Sequence, residues 1–245
     1  MHKSLLPLSP ALALSGCQLL NAVRLGVETH LSPPMAPIDT TPFEQAGCTL
    51  DEYGSWTCPS DGPPATLGCD GIHQAPALLG GLDPAYPLAE CWYYPTRHPG
   101  GGRDPLQAPR LYNRGCLMPV YVRYAVHQEG QFEPIVDQAA LRAAYTPIDS
   151  PEEALSYALA ATGLEAYYDL QRELGYRYFV DRLEDTHVVE TGDGYEINLY
   201  HYLVCGCGPH TTSIVNVQVS REGEITQAEP VPAFENPAED GLCVD

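Results

Sequence analysis

Nine cysteines constrain this 245-residue chain more than any other feature. Eight of them (Cys48, Cys58, Cys69, Cys91, Cys116, Cys205, Cys207 and Cys243) are spread along the body of the sequence, while Cys17 stands apart near its start. In an oxidising compartment such thiols pair, and a set of this size admits many connectivities. Five of the eight lie at or before Cys116 and three lie after it. Both numbers are odd, so complete pairing requires at least one bridge between the two parts. Residues 48–245 are therefore expected to form a single covalent unit. Proximity along the chain predicts a Cys48–Cys58 bridge, whose short loop stabilises by about 3 kcal/mol or a little less. A Cys69–Cys91 bridge is expected next.

The N-terminus has the parts of a targeting segment. His2 and Lys3 make a short basic start, a hydrophobic run extends from Leu5 to Leu14, and small residues follow. The run is half the roughly 20 residues a spanning helix needs, and Pro7 and Pro10 would interrupt such a helix. Leu14-Ser15-Gly16-Cys17 resembles the lipobox of bacterial lipoproteins, a resemblance confined to residues 1–17. It implies that residues 1–16 are a signal peptide removed before Cys17. It further implies that the Cys17 sulfur carries a diacylglycerol and that the new amine is acylated, with palmitate as the kind of chain attached. Two or more acyl chains hold a protein stably where one holds it marginally. The partner implied is the membrane, reached through covalent lipid. Gln18, in place of Asp, implies the outer membrane where the cell has one. With Cys17 taken by lipid, an even number of cysteines remains to pair.

The net charge of −20 repels phosphate backbones, so nucleic acid is not an expected partner. It also gives no electrostatic grip on anionic headgroups, which leaves attachment to the lipid itself. With 24 prolines and 22 glycines, long unbroken helices are not expected.

Along the chain, residues 17–47 read as the lipidated cysteine and a flexible tether, because Ser32-Pro33-Pro34, Pro37 and Pro42 break any apolar period. Residues 48–116 are rich in Cys, Pro and Gly and read as an irregular, bridge-stabilised part with short strands, with Trp56 and Trp92 as anchors. Gly100-Gly101-Gly102 is followed by Pro105 rather than a helix, so it reads as a loop and not a phosphate cradle. Residues 117–245 carry the regular structure. Val120, Val122, Tyr124 and Val126 alternate, and Glu129-Gly130 turns the chain into a second strand. Asp137 caps a short helix reaching Tyr145. Ser150-Pro151-Glu152-Glu153 opens a main helix whose stripe is Leu155, Ala158, Leu159 and Thr162, ended by Gly163. A second helical stretch is expected over Glu165–Leu174. A β-meander follows, with Asp193-Gly194 and Glu222-Gly223 as its turns. The predicted fold class is α+β: an antiparallel β-meander with one main amphipathic helix across one face, preceded by the disulfide-rich irregular region. That arrangement is similar to cystatin-like and nuclear-transport-factor-like folds.

One cluster has the residue types of a site: His201, Cys205, Cys207 and His210 within ten residues, the donor set of a zinc centre. Four ligands so closely spaced on a strand strain against tetrahedral geometry, and export oxidises thiols before metal arrives. A redox bond between Cys205 and Cys207 would span about 6.6 Å of strand, near the upper limit for bridged α-carbons. The favoured reading pairs both cysteines elsewhere, with no metal and no cofactor. No Gly-x-Ser-x-Gly elbow and no His-Glu-x-x-His pair is present, so no catalytic residue is assigned. His127 and His187 read as structural residues in strands. The sequence thus predicts a lipid-anchored, extracytoplasmic and non-enzymatic module of a bacterial envelope. Its task is binding or structural, with a protein or small molecule as ligand. A metal-binding or thiol-redox protein built on His201–His210 is the alternative.

Overall fold

The computed structural model describes residues 28–29, 36–98 and 107–244. The lipobox with Cys17 and the Gly100–Gly102 run lie outside the described residues. Two antiparallel sheets enclose a central helical layer. In chain order the elements begin with β1 (Glu28–Thr29), α1 (Thr41–Gln45), β2 (Thr49–Leu50), β3 (Ser55–Thr57), β4 (Gly71–Gln74) and β5 (Leu88–Tyr93). Next come β6 (Tyr112–Arg114), β7 (Val120–Gln128), β8 (Gln131–Ile135), α2 (Gln138–Tyr145) and α3 (Pro151–Thr162). The chain closes with β9 (Arg177–Tyr178), β10 (Val188–Glu190), β11 (Gly194–Tyr202), β12 (Gly206–Cys207), β13 (Thr211–Ser220), β14 (Ile225–Gln227), β15 (Val231–Glu235) and β16 (Cys243–Val244). The first sheet runs β2-β3-β4-β5-β7-β6 with β8 also on β7. The second runs β1-β10-β11-β13-β15-β9 with β14 also on β13, and β12 pairs with β16 as a small ribbon.

Helix α3 forms where its capping signals place it. Ser150 Oγ accepts from the Glu153 amide at 3.1 Å, Pro151 occupies the first turn, and Gly163 ends the helix at φ 68°. The Glu153 carboxylate closes the cap one residue earlier than a standard box, on the Asp149 amide at 2.8 Å. A side chain at Gly163 would also strike the Tyr112 ring, so glycine is demanded there by conformation and by space.

The expectation of an amphipathic helix on one sheet face is corrected by the structure. Every residue from Glu153 to Ala161 is buried. The core-facing residues Leu88, Tyr124 and Val126 of the first sheet and Ile197, Leu199 and Val217 of the second meet in one cluster around α3. Five of the nine buried helix positions are Ala or Ser, small enough for a sheet to approach on each side, and no charged face remains to meet solvent. Three hydroxyls inside this layer are tied to backbone groups, while Glu153 Oε1 and Tyr145 Oη are buried without a hydrogen-bond partner. Tyr124 Oη donates to the Ala160 carbonyl at 3.2 Å, and Tyr157 Oη to the Gly223 carbonyl at 3.0 Å. Ser156 Oγ donates to the Leu78 carbonyl at 2.6 Å and accepts from the Gly81 amide at 3.1 Å.

Three further expectations change. The short strands expected in residues 48–116 do form, but they join one sheet instead of an irregular part, supplying five of its seven strands. The tether does not extend to residue 47. Glu28–Thr29 already pairs with β10, and Phe43 of α1 is wholly buried against Trp56 and Phe132. Residues 165–174 form no helix, because their backbone groups are engaged elsewhere. Glu165 exchanges both backbone hydrogen bonds with Tyr200, and the Asp185 carboxylate accepts from the Asp169 and Leu170 amides. The hairpin of β7 and β8, the capped helix α2 and the β10–β11–β13 meander stand where the sequence places them.

Four disulfides join Cys48 to Cys58, Cys69 to Cys91, Cys116 to Cys205 and Cys207 to Cys243. The first two build a small second core on the outer face of the first sheet, where Phe43, Trp56, Ile72, Ala89 and Ala125 pack. The third links the first sheet to the second across 89 residues, and constraining an unfolded loop of that length is worth about 4–5 kcal/mol. The sulfurs indicate an oxidising, extracytoplasmic compartment. Among the described residues no helix is long and apolar enough to cross a membrane.

Replacing Ser156 by Ala removes a group that satisfies two partly buried backbone atoms. The expected loss is about 1–3 kcal/mol of stability, read from the denaturant midpoint at unchanged slope.

Candidate functional site

The inner face of the first sheet changes character along its length. Register places Ser55, His73, Glu90 and Tyr124 side by side on β3, β4, β5 and β7. Period-two alternation adds Leu88 and Trp92 from β5, and Tyr112 and Arg114 from β6, to the same face. At the Leu88 end this face packs on α3. At the Glu90 and Trp92 end α3 has already stopped at Gly163, and the sheet face is left open as a cleft of about 560 Å³. Its walls are the β2–β3 turn with Tyr53 and Gly54, the segment Pro76–Ala77, and Thr40 from the stretch preceding α1.

The floor is a satisfied polar cluster. Glu90 is only 2% exposed, and its carboxylate accepts a bidentate pair from Arg114 at 2.9 and 3.0 Å. Trp92 Nε1 donates to the same carboxylate at 2.8 Å, and Tyr112 Oη reaches it at 3.4 Å. The His73 ring stacks on Trp92 with centroids 3.7 Å apart, and its Nδ1 lies 3.2 Å from Ser55 Oγ. Burial holds the His73 imidazole below its ordinary range against the opposing pull of Glu90 and Asp51, so it is neutral at pH 7. Burial, aided by the adjacent Glu90 charge, pushes the Tyr112 phenol up to about 12. The cleft therefore offers an aromatic surface and planar hydrogen-bonding groups without net charge. On the far side of Arg114 and Pro76 a second, more apolar cleft of about 340 Å³ opens between Leu78, Leu164 and Tyr167.

The residues singled out by the sequence lie elsewhere. Cys205 and Cys207 do not bond to each other: their sulfurs are joined to Cys116 and Cys243, which also removes them as thiolate ligands. His201 is exposed, whereas His210 is buried with Nε2 at 3.1 Å from the Leu242 carbonyl. The zinc-like or redox site of His201, Cys205, Cys207 and His210 is thus not assembled. Among the described residues no group of three or more His, Cys, Asp or Glu is placed to hold a metal ion. The residues of the cleft went unmarked in the sequence apart from Trp92. A signal exists in Leu88-x-Glu90-x-Trp92, where alternation puts a carboxylate between two apolar positions on one strand face. A second lies in Tyr112-x-Arg114, which supplies its partners.

Fold and cleft together define a class, a disulfide-locked two-sheet domain of an oxidising compartment with an uncharged, aromatic-lined recess. Comparison with protein-family models, with curated proteins and with solved structures finds no match for this chain.

Two outcomes check this description. Arg114→Ala strands the buried Glu90 carboxylate and is expected to cost about 3 kcal/mol in denaturant unfolding, the low end for a broken buried pair because Arg114 is partly exposed. The His73 effect concerns pH. Its folded-state pKa lies below the unfolded value of about 6.5, so the unfolded chain takes up the proton first as pH falls. Stability contributed by neutral His73 is present above that value and declines below it. In His73→Gln the decline from pH 6.5 downward should be shallower.

Proposed function

We propose that this chain is a lipid-anchored binding module of a bacterial envelope, held through Cys17 and facing outside the cytoplasm. The observation that carries the reading is the pairing of sulfurs: all eight cysteines after residue 17 are bonded to one another. No cysteine remains in the chain for Cys17 to pair with, which fits a sulfur reserved for lipid. Only 10 residues separate Cys17 from β1. Fully extended, that span covers at most about 40 Å, so the domain would ride close to the bilayer. The acidic surface suits this arrangement, since it supplies no adhesion of its own to anionic headgroups.

Binding rather than catalysis is favoured by the state of the cleft. Its carboxylate, guanidinium and indole satisfy one another, which favours a rigid recess over a reacting site. Where the cell has two membranes, Gln18 directs the protein to the outer one.

Metabolic labelling with a radioactive fatty acid tests the anchor. The wild-type chain is expected to take up label and to partition into detergent, whereas Cys17→Ala does neither. Equal labelling of the two, or wild-type protein recovered with Met1 still attached, would overturn the reading.

A further inference from the structure

We propose that the outer face of the first sheet carries an anion-binding site centred on Arg123, which takes a compact ligand bearing one oxyanion group, a carboxylate or a phosphate. The inference goes beyond the binding-module reading. It uses neither the cleft nor the anchor and stands if either fails.

The distribution of charge points there first. Residues 91–123 hold five of the chain's twelve basic residues, Arg97, Arg103, Arg110, Arg114 and Arg123, against a single acid, Asp104. That segment is +4 in a chain of −20, so the remainder carries −24. Arg103 and Asp104 lie outside the described residues, and Arg114 is spent on Glu90 at the inner face. Register sends Arg123 to the outer face: it stands opposite the bridged Cys91, and Tyr93 stands opposite Tyr121 one repeat further along β5 and β7.

The cations on this face are laid on aromatic rings. The Arg123 guanidinium lies over Tyr93 at 4.3 Å, and the His98 ring stacks on Tyr93 with centroids 4.7 Å apart. Arg110 lies over Tyr121 at 4.2 Å, and the Tyr93 and Tyr121 rings adjoin at 6.4 Å.

Arg123 is the unusual member. It is only 8% exposed, and an arginine so buried is normally paired with a carboxylate. Its Nε donates to the Pro109 carbonyl at 2.7 Å, but among the described residues no carboxylate forms an ion pair with it. Asp70, whose charge it feels, is taken by the Tyr94 amide at 2.7 Å and by the His98 ring at 3.0 Å. Burial outweighs the pull of Tyr93 and Asp70 and holds Arg123 below the ordinary arginine range. Nη1 and Nη2 have no partner among the described residues and are not shut away from solvent. They are the end-on pair of donors that grips two oxygens of a carboxylate or phosphate.

Screening sets the size of the ligand. At physiological salt fixed charges act over about 8 Å, so a small anion here feels the arginines more than distant carboxylates. A nucleic-acid strand or an anionic bilayer would spread beyond the patch onto the acidic remainder and be repelled.

The test titrates the full-length chain, in a polyoxyethylene detergent, with sodium phosphate and separately with sodium acetate, ionic strength being held constant with chloride. Calorimetry is expected to show saturable uptake of one equivalent of phosphate, acetate or both. Arg123→Lys keeps the charge but loses the planar fork, and should weaken uptake about tenfold, equivalent to roughly 1.4 kcal/mol. Arg110→Gln, on the neighbouring ring, should weaken it by a smaller factor. Arg182→Gln, an equal loss of charge outside the basic segment, should leave it unchanged. Unchanged thermal midpoints separate lost binding from lost fold, and Arg110→Gln carries the test if Arg123→Lys does not fold. Flotation with phosphatidylglycerol vesicles, done with the unlipidated Cys17→Ala chain, is expected to show no binding. The proposal is overturned if neither anion is taken up saturably, or if Arg123→Lys and Arg110→Gln both bind as the wild type does. It is equally overturned if Arg182→Gln weakens uptake as much as they do, or if the chain floats with the vesicles and Arg123→Lys abolishes this.

Discussion

The molecule depends on a helix that has no surface of its own. Helix α3 lies between two antiparallel sheets, and its nine central residues are shut away from water on every side. Neither sheet could bury its apolar face without this shared layer. Each fully buried Leu, Val, Ile or Tyr contributes about 1.5–3 kcal/mol relative to exposure. The contacts between the layers are also specific. The Ser156 hydroxyl and the Tyr124 and Tyr157 phenols bond to backbone carbonyls of neighbouring elements, so the helix has one depth and one rotation that satisfy all of them. Placement of α3 then decides where the first sheet is covered and where it is left open.

The cleft follows from that termination. Gly163 turns the chain away in the left-handed conformation just where the Tyr112 ring would block any side chain. Beyond that point the sheet face carries Glu90, Trp92, His73 and Arg114 instead of aliphatic residues. A buried carboxylate would be costly alone, and it is tolerated because three donors converge on it. The same convergence makes the recess neutral and stiff.

The disulfides divide the labour. Two stabilise the outer face of the first sheet, where the hydrophobic cluster is small. Cys116–Cys205 ties the two sheets, and Cys207–Cys243 fastens the C-terminal strand β16 to its ribbon partner β12. This explains why His201, Cys205, Cys207 and His210 look like a ligand set in one dimension and not in three. Their spacing comes from a bend whose sulfurs lead to distant partners. His210 is buried by the returning chain around Leu242 rather than turned toward a shared centre.

Local chemistry determined much of this protein in advance. Capping fixed both ends of α3, Asp193-Gly194 and Glu129-Gly130 fixed hairpins, and the odd split of cysteines required a bridge between the two parts. Each of these depends on residues close in sequence or on counting alone. Only the tertiary structure decided that α3 would be covered twice, because a helix of Ala, Ser, Leu and Tyr reads the same whether one sheet or two lie against it. It alone turned the Cys-rich region into a sheet, since its strands are two to six residues long and gain order from neighbours rather than from their own pattern. And it alone gathered Glu90, Arg114, His73 and Tyr53, whose chemistry comes from strand register and the point where a helix ends, neither of which is written within any short window of sequence.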